Sequence, residues 1–261
     1  MPDLLEVKNV TRKFGGVVAN QKVSFSFESG KVIGLIGPNG AGKSTLFNMV
    51  SAIFPPTEGE IWFAGKRIDH LPAFKVSPLG IARTFQNLQV FKRMTVLENV
   101  MVGLHTSTSS GILSAAFKLP KAKKEEETIY QQAWEEIEFV GLEDVAAVEA
   151  GNLPLGKLRL LELARALATR PKLLLLDEIA AGLNHQETAK MSDLIFKVRD
   201  RGVSIFVVEH DMDLVMRVSD RIIVLDQGEK IAEGTPKEVQ NDPRVIEAYL
   251  GNDEEKEEAT V

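Results

Sequence analysis

The first part of the chain alternates apolar and polar residues, a pattern that predicts β-strands with one buried face. Residues 5–10 and 23–27 follow a period of two, which is typical of antiparallel strands covered on one side. A turn at residues 13–16 separates them, and residues 60–66 predict another strand followed by a turn. This region is therefore predicted to be mainly β-structure.

Later segments contain continuous apolar runs, which predict strands buried on both faces. Residues 172–178 and 203–210 form two such runs, and they are separated by a helix predicted at 185–201. Gly202 suits the end of that helix, since glycine readily adopts the left-handed conformation found there. Apolar strands joined through a helix favour a parallel sheet, and hence an α/β fold.

Shorter elements are predicted near the end of the chain. Residues 221–233 predict a hairpin, because two apolar stretches flank a turn of polar residues. Residues 235–238 form a capping box with proline at the first helical position, which predicts a short helix. A second short helix is predicted from residue 242 to about residue 251.

Between about residues 95 and 169 the pattern changes, and a helical subdomain is predicted. Apolar residues recur at helical spacing in 129–140 and 158–167, and no strand pattern is present. Residues 106–111 predict a loop, because they are rich in serine and threonine. The charge run at 118–127 favours the solvated start of a helix.

The negative charge of the chain is concentrated at its C-terminal end. The 261 residues carry a formal charge of −6, but residues 253–258 hold five acids and one base, which leaves 32 acids against 30 bases. This balance gives no electrostatic reason to propose nucleic-acid binding, which needs a basic face to neutralise phosphates. Residues 252–261 are predicted to be a disordered acidic tail.

Composition also bears on the compartment in which the chain works. There is no cysteine, which excludes disulfides and thiolate metal sites. No apolar run reaches the roughly eighteen residues of a membrane span, and residues 1–15 do not resemble a signal sequence. The chain is therefore predicted to be cytoplasmic, with any membrane role exerted through a partner.

The residues after the apolar run 32–36 carry the clearest chemical signature. They match the pattern GxxxxGK[ST] in full, between a strand and a helix predicted at 46–54. Backbone N–H groups of such a loop and the helix N-terminus bind phosphate. We expect Lys43 to bind the β- and γ-phosphates and the Ser44 hydroxyl to hold Mg²⁺. The candidate nucleotide-binding residues are Gly37, Pro38, Asn39, Gly40, Ala41, Gly42, Lys43, Ser44 and Thr45.

Two acids follow the apolar run 172–176, where the carboxyl end of a parallel strand gathers ligands. Asp177 is placed to bind Mg²⁺ through water, and Glu178 to polarise a water for attack on the γ-phosphorus. His210 also ends an apolar strand and is placed to contact the γ-phosphate or to orient Glu178. Gln86 and Phe14 carry no distinguishing pattern, and Phe14 alone is more typical of a core aromatic.

Together these residues resemble the ATP-binding subunit of an ABC transporter, from about residue 4 to residue 251. The resemblance implies one P-loop ATPase domain over 1–251, with an antiparallel β subdomain and a helical subdomain at about 95–169. It implies catalytic roles for Glu178, His210 and Gln86, with Gln86 also a metal ligand beside Ser44 and Asp177. Phe14 matches the position that stacks on adenine, so the implied cofactors are ATP and Mg²⁺.

Among such subunits, the chain is most similar to the ATPases of branched-chain amino-acid importers. The segments that carry this likeness are 36–45, 105–125, 180–184, 209–212 and 241–251. Lipopolysaccharide-export ATPases share much of the last segment, so that substrate class stays open. The implied partners are a second ATP-binding subunit, identical or different, integral-membrane permeases and, indirectly, a substrate-binding protein. The implied location is the cytoplasmic face of the cell membrane.

Two positions depart from the family pattern. The signature Leu-Ser-Gly-Gly-Gln aligns with residues 153–157 and keeps only its first residue and Gly156, which the resemblance still assigns to nucleotide binding. In the family this signature donates to the γ-phosphate held by a second subunit. Pro154 offers neither a hydroxyl nor an N–H. The proline usual after Glu178 is replaced by Ile179.

The altered signature leaves a second hypothesis open, a catalytically weak subunit in which ATP controls association. A third hypothesis is a soluble ATPase of the same family acting on nucleic acid or ribosomes. Such proteins usually carry two cassettes, whereas one Walker A motif is present here. In the transporter hypothesis Arg83, Phe85 and Phe91 are candidates to line a groove for the membrane partner, with ordinary packing or solvent exposure an equal alternative.

Overall fold

The computed structural model describes residues 3–104 and 120–249, with side chains of the second range from residue 126 onward. The loop predicted at 106–111 and the acidic tail at 252–261 therefore lie outside the described residues. The same holds for most of the insertion at 105–125 and for the last residues of the second C-terminal helix.

The described strands form two sheets. The strands are β1 (Leu5–Phe14), β2 (Val17–Phe27), β3 (Val32–Ile36), β4 (Glu58–Phe63), β5 (Lys66–Arg67), β6 (Ile81–Arg83), β7 (Leu173–Asp177), β8 (Ser204–Val208), β9 (Arg221–Asp226) and β10 (Glu229–Gly234). One sheet has the order β2-β1-β4-β5 and is antiparallel, as the alternating residues predict. The other has the order β10-β9-β3-β8-β7-β6.

The second sheet is parallel from β9 to β6, and β10 closes it as the antiparallel half of the predicted hairpin. All five residues of β3, β7 and β8 are buried, which confirms the prediction of strands covered on both faces. β6 was missed, because three residues are too few to show a period. Its position beside β7 brings the segment after Arg83 to the same sheet edge as Asp177.

Helices connect the strands and form most of the described chain between β6 and β7. They are α1 (Lys43–Val50), α2 (Ala73–Val76), α3 (Val96–Leu104), α4 (Pro120–Val140), α5 (Leu155–Ala168), α6 (His185–Asp200), α7 (Met212–Val218), α8 (Pro236–Gln240) and α9 (243–249). α6 ends before Gly202 at φ +85°, and the capping box of Thr235 and Glu238 opens α8, as predicted. α2 and α7 were missed because each is short.

α1 ends at Val50, earlier than the predicted residue 54. Ala52 adopts a left-handed conformation at φ +56°, and its N–H donates to the carbonyl of Met49. The next N–H, from Ile53, donates to the carbonyl of Asn48. These two bonds form a Schellman motif with alanine in the place usually taken by glycine. This end of α1 could not be predicted from the sequence, because glycine, and not alanine, is the residue that usually marks such a helix end.

The hydrophobic core lies on both faces of the parallel sheet. The largest cluster joins one face of that sheet to α3, α4, α5 and α6, and a second joins the other face to α1 and the antiparallel sheet. A third, smaller cluster packs α7, α8 and α9 against the end of β3 and the β9–β10 hairpin. Within the described ranges, no helix is long and apolar enough to cross a membrane.

Candidate active site

The loop of residues 37–42 is held in place by main-chain atoms of neighbouring strands. A Cβ on Gly37 would overlap the carbonyl oxygen of Leu225, and one on Gly42 would overlap that of Ala19. Both glycines also have positive φ angles, +152° and +92°. A Cβ on Gly40 would meet no neighbouring atom, so the loop is open at this residue. Two strands therefore fix the loop and leave its outer side accessible.

The C-terminal helix α9 also contacts this loop. The hydroxyl of Tyr249 is hydrogen-bonded to the backbone of Gly37, and burial raises the pKa of Tyr249. The same hydroxyl lies 4.0 Å from the sulfur of Met212, at the start of α7. Tyr249 therefore links the loop to the helix that follows His210.

Lys43 lies folded across the loop. Its Nζ donates to the carbonyl oxygens of Gly37 at 2.7 Å and Pro38 at 2.8 Å. Burial lowers the pKa of Lys43, and the negative charge of Glu178 opposes that shift. Among the described residues, the hydrogen bonds of this buried cation go to carbonyl oxygens and not to a carboxylate, so Lys43 is well placed to receive an anionic group.

The residues around the loop fit a magnesium nucleotide by their donor chemistry. The N–H groups in the first turn of α1 have no acceptor within the helix, and no side chain caps them. They are therefore suited to bind phosphate. Ser44 is exposed there and offers a hydroxyl oxygen, and Asp177 at the end of β7 offers a carboxylate. Such oxygens, completed by phosphate oxygens, are the ligands that Mg²⁺ prefers.

Asp177 forms an ion pair with an arginine for which the sequence analysis predicted a different role. Nη2 of Arg83 lies 2.7 Å from Oδ2 of Asp177. The N–H of Asp177 also donates to the hydroxyl of Thr84. Arg83 was a candidate to line an outer groove. It does contribute to a cavity wall, but its guanidinium points inward to the carboxylate.

Three predicted catalytic residues meet at Glu178. Nε2 of Gln86 donates to Oε2 of Glu178 at 2.9 Å, and Nε2 of His210 lies 3.0 Å from Oε1. Glu178 has a left-handed backbone at φ +49°, just beyond the last residue of β7. Such a conformation is costly for a side chain other than glycine and is concentrated at functional sites. Gln86 and His210 thus both contact the proposed base, while metal binding by Gln86 stays a prediction.

A buried glutamate that sequence reasoning missed supports this turn. Oε1 of Glu209 accepts a hydrogen bond of 2.8 Å from the N–H of Ala180. Burial raises the pKa of Glu209 to about 7, and the charges of Glu178 and Asp211 add to the rise. The only available signal was an acid at the end of an apolar strand, next to His210.

A second buried group holds the backbone around Gln86. Arg159 in α5 donates to the carbonyl oxygens of Phe85 and Gln86 at 3.3 and 3.2 Å, and pairs with Glu162. Glu162 in turn accepts from the N–H of Gln89 at 3.1 Å. An arginine and a glutamate three residues apart was the only sequence signal, and such spacing is common on exposed helices.

The altered signature forms the start of α5. Pro154 is its N-cap and supplies no side-chain hydrogen bond. A Cβ on Gly156 would overlap Oε1 of Glu187, and a Cβ on Gly182 would contact the end of Leu155. Glu187 belongs to the capping box of α6, so the signature and this neighbouring helix start are packed together. The exceptional residue Ile179 is fully buried in the largest core cluster.

Phe14 lies at the end of β1 and is partly exposed. Its ring meets that of Phe54 edge-on, with centroids 5.5 Å apart. The guanidinium of Arg12 lies 4.5 Å from the centre of Phe14 and 4.6 Å from that of Phe54. Phe14 is therefore not a core residue, and an accessible aromatic supported from behind suits base stacking.

Comparison with known families defines the class of protein that this fold and site represent. The model for ABC transporters matches residues 20–181, and the chain belongs to this family. The model for branched-chain amino acid ATP-binding cassette transporters matches residues 229–255, which include α8, α9 and Tyr249.

Individual relatives and structures agree with the family match. The chain is 43% identical to the high-affinity branched-chain amino acid transport ATP-binding protein BraF of Pseudomonas aeruginosa, covering 95% of this chain and 98% of that protein. It is 40% identical to the protein of the same description, LivG, of Escherichia coli, with the same coverage.

Two solved structures are also similar. The ADP conformation of an ATP-binding cassette of an ABC transporter has a TM-score of 0.84 and 34% identity, covering 96% of this chain and all of that one. A dimeric ATP-binding cassette bound to ADP and Pi has a TM-score of 0.76 and 26% identity, covering 89% and 98%. The predicted P-loop fold of this family is confirmed.

Proposed function

We propose that this chain is the ATP-hydrolysing subunit of an ABC importer and powers uptake of branched-chain amino acids through membrane permeases. The observation that carries the catalytic part is the meeting of Gln86 and His210 on Glu178, beside a phosphate-binding loop. The substrate class is supported by the relatives of 43% and 40% identity and by the match at residues 229–255.

The residues of the site divide the work of hydrolysis among them. The loop N–H groups and Lys43 bind the phosphates, while Ser44 and Asp177 would hold Mg²⁺, which neutralises charge that develops on the phosphate oxygens. Glu178 orients the attacking water and accepts its proton. Its two oxygens are held by Gln86 and His210, so these two residues fix its direction.

The start of α5 gives the chain a surface for a second ATP-binding subunit. We place the N–H groups around Gly156 against the γ-phosphate held by that subunit, because the start of α5 has no capping side chain. A dimeric relative of the same fold supports this arrangement.

The surface proposed for the membrane partner is a cavity of about 410 Å³ between α1, α2, β6, α3 and α5. Phe85 and Phe91 lie at its wall and are 40% and 48% exposed, so both rings offer apolar surface to a partner at the same cavity. The cavity adjoins Gln86, so an occupant would lie next to the hydrolysis site. We therefore propose that the chain works at the cytoplasmic face of the membrane, bound to its permease partners. A substrate-binding protein would act only indirectly.

The second candidate function, a catalytically weak subunit that ATP switches between partners, is favoured by Pro154 and Leu155. Neither supplies the hydroxyl or the small glycine of the family signature. The two functions differ in turnover. They do not differ in nucleotide binding, because the phosphate loop is complete.

The test compares Glu178→Gln with Lys43→Ala. Glu178→Gln removes the base and should lower the hydrolysis rate by about 10²- to 10⁴-fold while nucleotide binding is kept. Lys43→Ala removes a charge-assisted contact of about 1.5–3 kcal/mol and should weaken binding itself. Calorimetric titration and phosphate release measure the two effects.

Two results would contradict the proposal. A Glu178→Gln variant that hydrolyses ATP at the wild-type rate would remove Glu178 from catalysis. A wild-type chain with tight ATP binding but negligible turnover, also in the presence of permease partners, would favour the switching subunit. Leucine uptake by cells that express the chain with those permeases tests the substrate class.

A further inference from the structure

The side chain of Arg83 is held by three polar groups from two elements. Its Nη2 lies 2.7 Å from Oδ2 of Asp177, at the end of β7. Its Nη1 donates to Oδ1 of Asn48 in α1 and to the hydroxyl of Ser51 just beyond it, each at 2.7 Å. Only 11% of the side chain is exposed. The guanidinium therefore ties the helix of the phosphate loop to the strand that carries Asp177.

Two aromatic rings lie close to the Arg83 guanidinium. The guanidinium carbon lies 5.0 Å from the ring centre of Phe47 and 5.3 Å from that of Phe85. Phe47 is fully buried, while Phe85 is at the wall of the cavity described above. Arginine suits this setting, since its planar fork both stacks on rings and donates in two directions.

These contacts determine how Asp177 presents its carboxylate. Arg83 engages Oδ2, and the backbone N–H of Asp177 is tied to Thr84, so rotation of the carboxylate is restricted. The direction of Oδ1 is then set by the protein and not by solvent, because the carboxylate is only 8% exposed.

We propose that Arg83 is a positioning residue for the metal site, holding Asp177 so that one carboxylate oxygen is directed to Mg²⁺. In this proposal Arg83 acts through Asp177 and does not itself bind the metal or the nucleotide. The proposal rests on the proposed function, because it takes Asp177 as the metal-binding acid. Partners of metal-binding carboxylates typically contribute about 10- to 100-fold to metal affinity.

The chain offers a matched control in the antiparallel sheet. Arg67 pairs with Asp69 through Nε to Oδ1 at 2.9 Å, and the Asp69 side chain is also 8% exposed. Arg67→Met therefore removes an arginine from an equally buried aspartate, away from the nucleotide site. Arg83→Met removes the proposed positioning group, and Arg83→Lys keeps its charge but loses the planar fork.

The experiment measures binding of a non-hydrolysable ATP analogue over a series of Mg²⁺ concentrations. For Arg83→Met the half-saturating Mg²⁺ concentration should rise by about 10- to 100-fold, and for Arg83→Lys by a smaller factor. Arg67→Met should match the wild type. Without Mg²⁺, in excess chelator, the analogue should bind Arg83→Met nearly as well as wild type, because Arg83 contacts the C-terminal end of α1 and not the phosphate loop.

An unchanged or lowered half-saturating Mg²⁺ concentration in folded Arg83→Met would overturn the proposal and leave Arg83 a purely structural residue. If Arg83→Met does not fold, Arg83→Lys decides in its place: an unchanged or lowered half-saturating Mg²⁺ concentration in that variant would overturn the proposal. A wild-type chain whose analogue binding does not depend on Mg²⁺ would instead contradict the proposed metal site, so the two failures are distinguishable.

Discussion

The two ends of this cassette that are proposed to bind phosphate, the loop at 37–42 and the start of α5, are built in opposite ways. In the loop, added Cβ atoms on Gly37 and Gly42 would meet main-chain carbonyl oxygens of β9 and β2. At the start of α5, an added Cβ on Gly156 would meet the end of a flexible glutamate side chain. Backbone in a paired strand has little freedom to move, whereas a side-chain carboxylate can rotate away.

This difference explains where the chain keeps and where it loses its family pattern. The loop can accept few residues other than glycine at its crowded positions, and it matches its motif in full. The start of α5 tolerates Pro154 and Leu155, because a proline fits an N-cap with extended backbone and the leucine lies against Gly182. The end with rigid surroundings therefore matches its family motif in full, and the end with a movable neighbour does not.

The largest expected effect tests the difference in rigidity between the two ends. Gly42→Ala should impair folding and nucleotide binding, since its positive φ costs about 1–3 kcal/mol and displacement of β2 adds about 1–3 kcal/mol. Gly156→Ala should change stability little. Alanine gains up to about 1 kcal/mol in helix propensity, and loss of the Glu187 capping box costs about 1 kcal/mol.

Denaturant unfolding and nucleotide titration of the two variants measure this contrast. If Gly156→Ala destabilised the chain as much as Gly42→Ala, the start of α5 would be as rigid as the loop. The difference between the two ends would then need another cause.

Much of the fold and the site was accessible from the sequence because its signals are local. Patterns within a few residues predict the phosphate loop, the buried strand that ends at Asp177, the buried strand that ends just before His210 and the capping box at residue 235. That Asp177 and Glu178 lie at the sheet edge follows from the rule for parallel strands. The implied roles of Gln86 and Phe14 came from family resemblance alone.

Three contacts at the site that sequence reasoning missed join distant parts of the chain. Arg83 reaches Asp177 across 94 positions, and Arg159 reaches Gln86 across 73. Glu209 reaches Ala180 across 29 positions. Hydrophobic periodicity does not reveal such pairs, because the sequence does not distinguish a buried charged residue from an exposed one. Only the packed fold reveals which charges are buried and therefore need partners.

The next prediction sharpens the comparison by giving the start of α5 its missing donors. Pro154→Ser with Leu155→Gly should strengthen the ATP-bound dimer by about 10- to 100-fold, the equivalent of one hydrogen bond to a charged group. ATPase rate against protein concentration measures this, and binding to the monomer should not change. Part of the gain should be offset, because a glycine within a helix costs about 0.5–1 kcal/mol.

Pro154→Ala with Leu155→Gly is the control, since it removes the proline and the leucine without adding a hydroxyl. Equal dimer constants for the alanine and serine versions would show that the hydroxyl contributes nothing. In that case Gly156 and the helix N-terminus would suffice for the proposed contact.

The smallest effect concerns the buried carboxylate behind the hydrolysis site. Burial raises the pKa of Glu209 to about 7 from the usual 4.5. Between these pH values the folded chain keeps a proton that the unfolded chain has lost, so the contribution of Glu209 to stability falls as pH rises. The slope reaches at most about 1.4 kcal/mol per pH unit and levels off above about pH 7.

Glu209→Gln keeps an acceptor for the N–H of Ala180 but cannot ionise, so its free energy of unfolding should lack this slope between pH 4.5 and 7. Glu238→Gln is a suitable control. Hydrogen bonds from Thr235 lower the pKa of Glu238, so its contribution is lost only as pH falls below that window. Denaturant unfolding over the pH series measures both variants. A wild-type slope retained in Glu209→Gln would show that another group carries the proton, and that the turn at Glu178 is not held by a titrating acid.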